Sequence, residues 1–305
     1  MDLPDALLTR LTNQFGSVAT RTMLLAMSEK RLPTFRVNTL HATDETVMAT
    51  LREDAIQFER VRDIPHAFFV KNKTDKELLA HALTTSGKIY LQGLTSMLPP
   101  LVLDAQPHES VLDLCAAPGS KTSQIAALMK NTGRLVACEI DEVRFEKLKH
   151  TLTLQGVNAQ ALHIDATLLH HTHNEVFDRV LADVPCSAEG RINLNDRRSF
   201  SFWSQKNIIE HAKLQRRLLR SAVACLKPGG TLVYSTCTLA PEENEGQIAW
   251  LVDEFPMMQP VAITLPFSGK QGLYKTATLL PTSRYEGFFI SKLMKSTDGH
   301  FAKII

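Results

Sequence analysis

The stretch Val111-Leu-Asp-Leu-Cys-Ala-Ala-Pro-Gly-Ser-Lys-Thr122 has the pattern of a buried strand, a turn of small residues and the start of a helix. Small residues at Ala116, Ala117 and Gly119 let a ligand approach the backbone, and the free N–H groups of the helix can bind its charged part. Neither a phosphate loop nor a G-x-G-x-x-G dinucleotide motif is present. The stretch therefore predicts either a site for a nucleoside with a charged tail or an ordinary tight turn.

Outward from this turn, short apolar runs alternate with amphipathic stretches between about residues 110 and 256, which is typical of a parallel α/β sheet. The apolar spacing at residues 205–226 predicts a helix that packs on this sheet and ends before Pro228-Gly229-Gly230. Two further runs, at residues 273–279 and 287–293, could close the sheet as an antiparallel hairpin. The predicted parallel strands are residues 111–115, 134–140, 161–164, 179–184 and 231–237.

Length and composition indicate a folded chain of about two domains, with 305 residues, 44% hydrophobic and 22% charged. Residues 1–105 mix helical stretches with an extended run at 35–40 and predict a small α/β domain; residues 106–295 form the second domain, and 296–305 a loose tail. No apolar run is long enough to span a membrane, and charged residues interrupt the first twenty positions. We therefore expect a cytoplasmic protein with no membrane partner; the sequence says nothing of its oligomeric state.

The net charge of +2 is too small to indicate a nucleic-acid partner by itself, so any such partner must be bound by a local group of basic residues. Residues 191–220 carry eight basic residues against Asp196 and Glu210, with Phe200, Phe202 and Trp203 among them. Such a stretch suits phosphates and unstacked bases, but it is equally compatible with a solvated helix face whose aromatic rings lie in the core. The irregular spacing of the histidines at 170, 171 and 173 favours an exposed loop, and we predict no metal site.

Two acidic residues follow the next predicted strands. Glu139 lies about 20 residues past the glycine turn, where an acid binds the ribose in doubly wound nucleoside-binding sheets. Asp141 is better placed to cap the following helix. Asp165 could bind an adenine amino group, although strand ends often carry Asp.

Two thiols follow the predicted strands in Asp183-Val-Pro-Cys-Ser187 and Tyr234-Ser-Thr-Cys-Thr238. Parallel strands bind ligands at their carboxyl ends, so Cys186 and Cys237 should face the nucleoside crevice. Lys121 could supply the positive field that generates a thiolate. A disulfide between the two is disfavoured in a cytosolic chain, and five cysteines without a C-x-x-C pair argue against a zinc site. We interpret the others as small buried hydrophobic residues: Cys115, Cys138 and Cys225.

In this order and spacing, these motifs resemble the Sun/Nop family of S-adenosylmethionine-dependent RNA cytosine-5 methyltransferases. The resemblance covers residues 33 to 294. It extends to Phe35-Arg-Val-Asn-Thr-Leu40, Gly87-Lys-Ile-Tyr-Leu-Gln92, Ser96-Met-Leu-Pro99, Pro241-Glu-Glu-Asn-Glu245 and Glu286-Gly-Phe-Phe-Ile-Ser-Lys292.

The resemblance implies a Rossmann-like class I methyltransferase sheet preceded by a small N-terminal α/β RNA-binding domain, with rRNA or tRNA as the partner. S-adenosylmethionine would be the cofactor, its methionine end wrapped by residues 115–121, its ribose held by Glu139 and its adenine by Asp165. The complete set that the motif match assigns to the cofactor is Cys115, Ala116, Ala117, Pro118, Gly119, Ser120, Lys121, Glu139, Arg144, Asp165 and Asp183.

The resemblance also implies the catalytic residues. Cys237 would attack carbon 6 of an unstacked cytosine, which makes carbon 5 nucleophilic. Cys186 would help to resolve the adduct, and protonated Asp183, beside Lys121, would donate to N3. The sequence departs from the family pattern at Ser120, Ala188 and Thr282.

Two other functions remain open. A DNA cytosine-5 methyltransferase uses the same chemistry, but its nucleophile would be the Pro-Cys cysteine, here Cys186. A non-catalytic RNA-binding or assembly protein could retain the fold, and failure to bind S-adenosylmethionine would favour it.

Overall fold

The N-terminal part forms a small antiparallel sheet flanked by short helices. The fold is that of a computed structural model, which describes residues 3–267 and 269–297. The strands pair in the order β2-β3-β1-β4, and Phe35 of β1 stacks on Phe68 of β3 at 5.3 Å between ring centroids. The elements are α1 (Asp5–Phe15), α2 (Ser17–Ser28), β1 (Thr34–Val37), α3 (Asp44–Glu53), β2 (Phe58–Arg60), β3 (Ala67–Val70), α4 (Asp75–Leu79), α5 (Ala82–Thr85) and β4 (Ile89–Leu91).

The first two helices do not pack on this small sheet. Leu7 and Leu11 of α1 and Met23 and Met27 of α2 are buried in a separate cluster with Ile192, Phe200 and Leu239. Full burial of such a side chain stabilises a fold by roughly 1.5–3 kcal/mol. The prediction of helical stretches within residues 1–105 is confirmed for α1 and α2, and the structure adds that their apolar faces cover loops of the second half of the chain.

The remaining elements form a large mixed sheet, parallel in its earlier strands along the chain and antiparallel in its C-terminal strands, with helices on both faces. They are α6 (Leu98–Leu103), β5 (Ser110–Asp113), α7 (Ser120–Leu128), β6 (Arg134–Glu139), α8 (Glu142–Leu154), β7 (Gln160–His163), β8 (Phe177–Asp183), α9 (Gln205–Cys225), β9 (Leu226–Thr236), α10 (Glu245–Glu254), β10 (Met258–Val261), β11 (Lys270–Gln271), β12 (Ala277–Leu279) and β13 (Phe288–Lys295).

The strand order of this sheet is β11-β12-β13-β9-β8-β5-β6-β7, with β10 paired to β13. Strands β5 to β9 run parallel, whereas β13 runs antiparallel to both β9 and β12. The predicted α/β class, with a Rossmann-like sheet after a small α/β unit, is confirmed, as is the antiparallel closure.

The element ends differ from the prediction at three places. Strand β5 ends at Asp113 rather than residue 115, because the chain leaves the sheet to form the small-residue turn. Strand β9 begins at Leu226, before the Pro-Gly-Gly sequence, with an irregular register against β8. Residues Leu273–Lys275 form a 3₁₀ turn, so β12 is shorter than the apolar run.

The domain boundary at residue 105 remains a prediction, to which the structure adds that α6, just before it, packs against β8 and β9. Of the predicted tail, residues 298–305 lie outside the described residues. Within the described part of the chain, no helix is long and apolar enough to cross a membrane. In the same residues, no group of three or more His, Cys, Asp or Glu side chains could hold a metal ion.

Candidate active site

The site lies where the order of the parallel strands reverses. From β5 the chain continues to β6 and β7 on one side and returns to β8 and β9 on the other, so a crevice opens between the loops after β5 and β8. A cavity of about 470 Å³ occupies this position. Of the predicted site residues, Cys115, Ala116, Ala117, Pro118, Ser120, Lys121, Arg144, Asp183, Cys186 and Cys237 line it.

Three predicted cofactor residues do not line this cavity. Gly119 directly precedes α7 with φ +104°, and a Cβ there would lie 3.0 Å from Thr151, so the position favours glycine. Glu139 lies behind the turn. The Asp165 carboxylate accepts a hydrogen bond from the Thr167 backbone N–H at 2.9 Å and caps a short 3₁₀ helix. Its role toward adenine remains a prediction.

Glu139 nevertheless has a free acceptor. Its Oε1 accepts hydrogen bonds from the backbone N–H groups of Ile140 and Asp141 at 2.9 and 3.0 Å. Its buried Oε2 lies 3.3 Å from Arg144 Nη1 and makes no hydrogen bond within the described residues. Arg144 also donates to the Ala117 carbonyl at 2.9 Å. The pair thus ties the end of β6 to the small-residue turn and leaves a carboxylate oxygen for a hydroxyl donor.

Lys121 and Asp183 form an ion pair in the crevice, 2.6 Å between Nζ and Oδ2. Lys121 also donates to Ser96 Oγ at 2.9 Å, and Ser235 Oγ donates to Asp183 Oδ1 at 2.7 Å. Burial opposes the charged form of Lys121, but the carboxylates of Asp183 and Asp113 outweigh it and raise its pKa. Both Asp183 oxygens therefore already have hydrogen-bond partners, and the role of Asp183 as the donor to N3 stays a prediction.

Asp113, which the sequence analysis did not single out, lies at the end of β5 beneath this pair. It is 1% exposed, and burial above all raises its pKa to about 6. The Thr122 hydroxyl donates to Oδ2 at 2.7 Å, while Oδ1 has no hydrogen-bond partner in the described part of the chain. Its position as an acidic residue at the end of a strand in the first motif is the sequence signal that could have identified Asp113.

The two thiols meet above the ends of β8 and β9. The Sγ atoms of Cys186 and Cys237 are 3.2 Å apart, and the Cys237 backbone N–H donates to Cys186 Sγ at 3.3 Å. Both are free and half-buried. The hydrogen bond to Cys237, burial and the charges of Cys237 and Glu243 together raise the pKa of Cys186 well above its usual value. The sequence prediction that the two motifs share one crevice is confirmed.

The other three cysteines have raised thiol pKa values, mainly because they are buried. Burial raises the pKa of Cys138 to about 12 and that of Cys225 to about 11. Cys115 was expected inside a strand, but it follows the end of β5 and lines the cavity.

A third loop reaches the thiols from the C-terminal part. The Gly190 N–H donates to the Cys237 carbonyl and the Gly287 N–H to the Gly190 carbonyl, both at 2.9 Å. A Cβ on Gly190 would lie 2.2 Å from the Gly287 oxygen, so this close approach requires glycine. The loop brings Glu286 to within 3.4 Å of Arg191, and the Glu286 carboxylate above all raises the pKa of Arg191, with smaller contributions from the Cys237 and Cys186 thiols. From the sequence, Glu286 is identified only as part of a motif, and neither Glu286 nor Arg191 has a predicted role at the site, because their contact joins distant loops.

The aromatic residues of the basic stretch divide between core and surface. Phe200 is buried, and Trp203 packs beside it and donates to Glu189 Oε1 at 2.8 Å. Phe202 is 53% exposed. The interpretation as core residues is therefore confirmed for two of the three rings.

These observations fit a nucleoside with a charged tail. The turn presents small side chains to the cavity, and Glu139 Oε2 offers a buried acceptor beside it. The Lys121–Asp183 pair, which can bind polar or charged groups, lines the same cavity.

Comparisons with known proteins agree with this geometry. Residues 100–294 match the family model described as 16S rRNA methyltransferase RsmB/F, and residues 3–77 match the ferredoxin-like domain of RsmF/B-like methyltransferases. A solved structure described as a methyltransferase homolog protein from Pyrococcus horikoshii superposes with a TM-score of 0.81 at 31% identity, covering 96% of this chain and 100% of that one.

Two curated relatives differ in their named RNA. The chain is 33% identical over 306 residues to ribosomal RNA small subunit methyltransferase F of Cronobacter sakazakii, covering 96% of this chain and 63% of the relative. It is 35% identical over 284 residues to the tRNA (cytosine(49)-C(5))-methyltransferase of Pyrococcus abyssi, covering 86% of this chain and 88% of the relative. The chain thus spans somewhat less than two thirds of the length of the methyltransferase F relatives. These matches confirm the resemblance on which the site was predicted, and the chain belongs to the RsmB/F family of methyltransferases.

Proposed function

We propose that this protein transfers a methyl group from S-adenosylmethionine to carbon 5 of a cytosine in rRNA or tRNA. The observation that carries the proposal is the pair of free thiols, 3.2 Å apart, beside the Lys121–Asp183 pair at the carboxyl edge of the sheet. One relative is named as a ribosomal RNA methyltransferase and another as a tRNA cytosine-C5 methyltransferase, and both names support this proposal.

S-adenosylmethionine would lie along the small-residue turn, where it supplies an electrophilic methyl group bonded to a sulfonium sulfur. Residues 115–121 would hold its methionine end, and Glu139 Oε2 would accept from a ribose hydroxyl. Arg144 holds both Glu139 and the turn in place. Asp165 stays a candidate for the adenine.

Cys237 would act as the nucleophile. Its thiolate adds to carbon 6 of cytosine and thereby makes carbon 5 able to accept the methyl group. Lys121 and Arg191 bring positive charge to this sulfur and would stabilise the thiolate during the reaction.

The addition places negative charge on the cytosine ring, which needs a donor near N3. Because Asp183 already accepts from Lys121 and Ser235, we propose that the donated proton comes through the Lys121–Asp183 pair rather than from Asp183 alone. The Asp183 carboxylate could instead accept from the exocyclic amino group, which distinguishes cytosine from uracil.

Cys186 would assist release of the product. Its raised pKa keeps it a neutral thiol, and it lies within hydrogen-bonding distance of the Cys237 sulfur. A solvent water takes the proton from carbon 5, the electrons of that bond form the carbon 5–carbon 6 double bond, and the bond from carbon 6 to the Cys237 sulfur breaks. Cys186 can donate a hydrogen bond to the departing sulfur.

The test is methyl transfer from labelled S-adenosylmethionine to unmodified 16S rRNA, to unmodified tRNA and to DNA. We expect labelled 5-methylcytidine, identified by mass spectrometry, in RNA only, and the labelled transcript distinguishes rRNA from tRNA. Label in DNA only would indicate the DNA enzyme. Absence of cofactor binding would indicate a non-catalytic protein.

Substitution of the two thiols tests their roles. We expect Cys237→Ala to abolish transfer while cofactor affinity, measured by calorimetry, is retained. We expect Cys186→Ala to accumulate a protein–RNA adduct that survives a denaturing gel. Normal turnover of Cys237→Ala would refute the assignment of the nucleophile, and trapping by Cys237→Ala but not by Cys186→Ala would reverse the two roles.

A further inference from the structure

A buried carboxyl group lies directly beneath the two thiols and has no part in the mechanism above. Glu243 belongs to the segment Pro241-Glu-Glu-Asn-Glu245, between β9 and α10, and is 0% exposed. A buried carboxyl is costly unless it is hydrogen-bonded, so its partners indicate what it does.

Glu243 is bound mainly to the loop that carries Cys186. The Ser187 backbone N–H donates to its Oε2 at 3.1 Å, and the Ser187 hydroxyl donates to Oε1. Gln215 Nε2 donates to Glu243 Oε2 at 2.8 Å and to the Pro185 carbonyl at 2.9 Å. Residues on both sides of Cys186 are therefore fixed, directly or through Gln215, to one carboxyl group.

The same cluster reaches the loop that carries Cys237. The hydroxyls of Ser187 and Thr238 are 2.7 Å apart, and Thr238 follows Cys237 directly. Tyr234, in the same strand as Ser235 and Thr236, donates its hydroxyl to the Glu243 carbonyl at 2.6 Å. Glu243 thus connects the two loops behind the 3.2 Å contact between the sulfurs.

The Glu243 carboxyl also affects the pKa of the Cys186 thiol. Glu243 is among the groups that raise the pKa of Cys186, after the Cys237 hydrogen bond, burial and the Cys237 charge. Burial raises the pKa of Glu243 itself, opposed by Ser187, Gln215 and, from α9, His211. Arg10 of α1, the Tyr234 hydroxyl of β9 and the Cys186 thiol also face this carboxyl. A negative charge there keeps Cys186 in the thiol form that product release requires.

We propose that Glu243 is a positioning residue that holds the Cys186 loop against Cys237 and so promotes release of the covalent adduct. The inference rests on the proposed function. It assigns Glu243 no contact with RNA or cofactor, because the carboxyl is buried behind the thiols and does not line the cavity.

The test uses Glu243→Gln, which keeps the side-chain volume but removes the charge and sets an amide donor against Gln215. The control is Glu242→Gln, the same change at the neighbouring position, whose carboxylate is 41% exposed and pairs with Arg10. Methylated product and denaturation-resistant RNA adduct are both measured over one turnover. We expect product release to slow by about 10- to 100-fold in Glu243→Gln, as for a small misplacement of a reacting group. The adduct-to-product ratio should rise as in Cys186→Ala, and the control should match the unchanged protein.

Three measurements distinguish the proposed positioning role from a purely structural one: thermal unfolding, cofactor affinity and the adduct-to-product ratio. If Glu243→Gln does not fold, Ser187→Ala removes only the hydroxyl bond and should raise the same ratio to a smaller extent. Unchanged product release in a folded Glu243→Gln would overturn the inference, as would slow turnover without excess adduct. An unchanged protein that forms neither product nor adduct would overturn the proposed function and, with it, this role.

Discussion

Asp113 is the residue whose environment gives the clearest pH dependence. Burial raises its pKa from 3.8 to about 6, with a further contribution from Asp183 that Lys121 partly offsets. In the unfolded chain the carboxyl titrates near 3.8, so between these values the folded protein binds more protons than the unfolded one. The stabilising contribution of the protonated form is therefore complete below about pH 4 and is lost as the pH rises through about 6.

The variant Asp113→Asn tests this, because its amide stays neutral throughout. Relative to the unchanged protein, we expect Asp113→Asn to gain stability between pH 4 and pH 7, by at most about 3 kcal/mol. The measurement is the free energy of unfolding in urea for both proteins across that range. A difference that does not vary with pH would show that Asp113 is ionised at all these values.

Site residues could be predicted from sequence where each lies in a motif at the end of a predicted strand. The strand-end positions of Cys186 and Cys237 required only that both strands be parallel and adjacent, which alternation indicates. Arg191 and Glu286 could not be found in this way, since their pairing depends on the close approach of Gly190 to Gly287, far apart in sequence.

At the level of elements, β1 is joined to α7 by a buried arginine. Arg36 Nε donates to Gln92 Oε1 at 2.9 Å, and Nη2 donates to Ser123 Oγ at 2.6 Å and to the Ser120 carbonyl at 3.3 Å. Burial lowers the pKa of Arg36 to about 10. The small sheet thus contacts the first turn of the helix that follows the proposed cofactor turn.

We expect Arg36→Met to destabilise the protein by roughly 2–3 kcal/mol, because hydrogen bonds to a charged group are lost from a buried position. If the less ordered turn also weakens the binding free energy of S-adenosylmethionine by about 1.4 kcal/mol, the Kd for this cofactor rises about tenfold. Chemical denaturation and calorimetry measure the two effects. Arg52→Met is the matched control, since Arg52 is an exposed arginine of α3 whose guanidinium lies over the Phe58 ring. Equal affinity in both variants would show that the small sheet does not support the turn.

Elements were predictable to the extent that their own residues determine them. The parallel strands and α9 follow from apolar runs and from the Pro-Gly-Gly stop, which act locally. The packing partners of α1 and α2 do not, because an amphipathic face specifies burial but not the surface that buries it. Only the fold brings Leu11 to Leu239.

At the scale of the whole molecule, the orientation of α9 places the last basic residues of the stretch 191–220 away from the active site. The helix begins after the carboxyl end of β8 and returns to the amino end of β9, which is parallel to β8. Its last turns therefore lie toward the edge opposite the active site. Arg220, near the end of the helix, and Arg216, one turn before it, lie over the Trp250 ring of α10, at 5.1 and 5.3 Å from its centroid. This part of the stretch is poorly placed to contact RNA at the thiols.

Other positive residues lie next to the active-site cavity. A groove of about 230 Å³ shares Leu91, Gln92, Gly93 and Glu286 with that cavity. Its charged lining residues are Arg31, Arg284, Asp75 and Glu286. Arg31 Nε donates to the Thr282 carbonyl at 3.2 Å, while its buried Nη2 has no hydrogen-bond partner among residues 3–267 and 269–297. Arg284 is exposed and Arg31 is half-buried, so the positive charge of the groove is suited to an RNA phosphate next to the target nucleotide.

We therefore expect the double variant Arg31→Ala/Arg284→Ala to bind RNA more weakly than Arg216→Ala/Arg217→Ala, although both remove two positive charges. If each groove arginine contacts one phosphate, the slope of log affinity against log salt should fall in magnitude by about 1.4, at about 0.7 per contact on single-stranded RNA. The slope for the α9 variant should barely change. Filter binding over a range of salt concentrations measures both slopes. The reverse result would place the RNA along the outer face of α9, where two of its arginines would have to leave the Trp250 ring or bind around it.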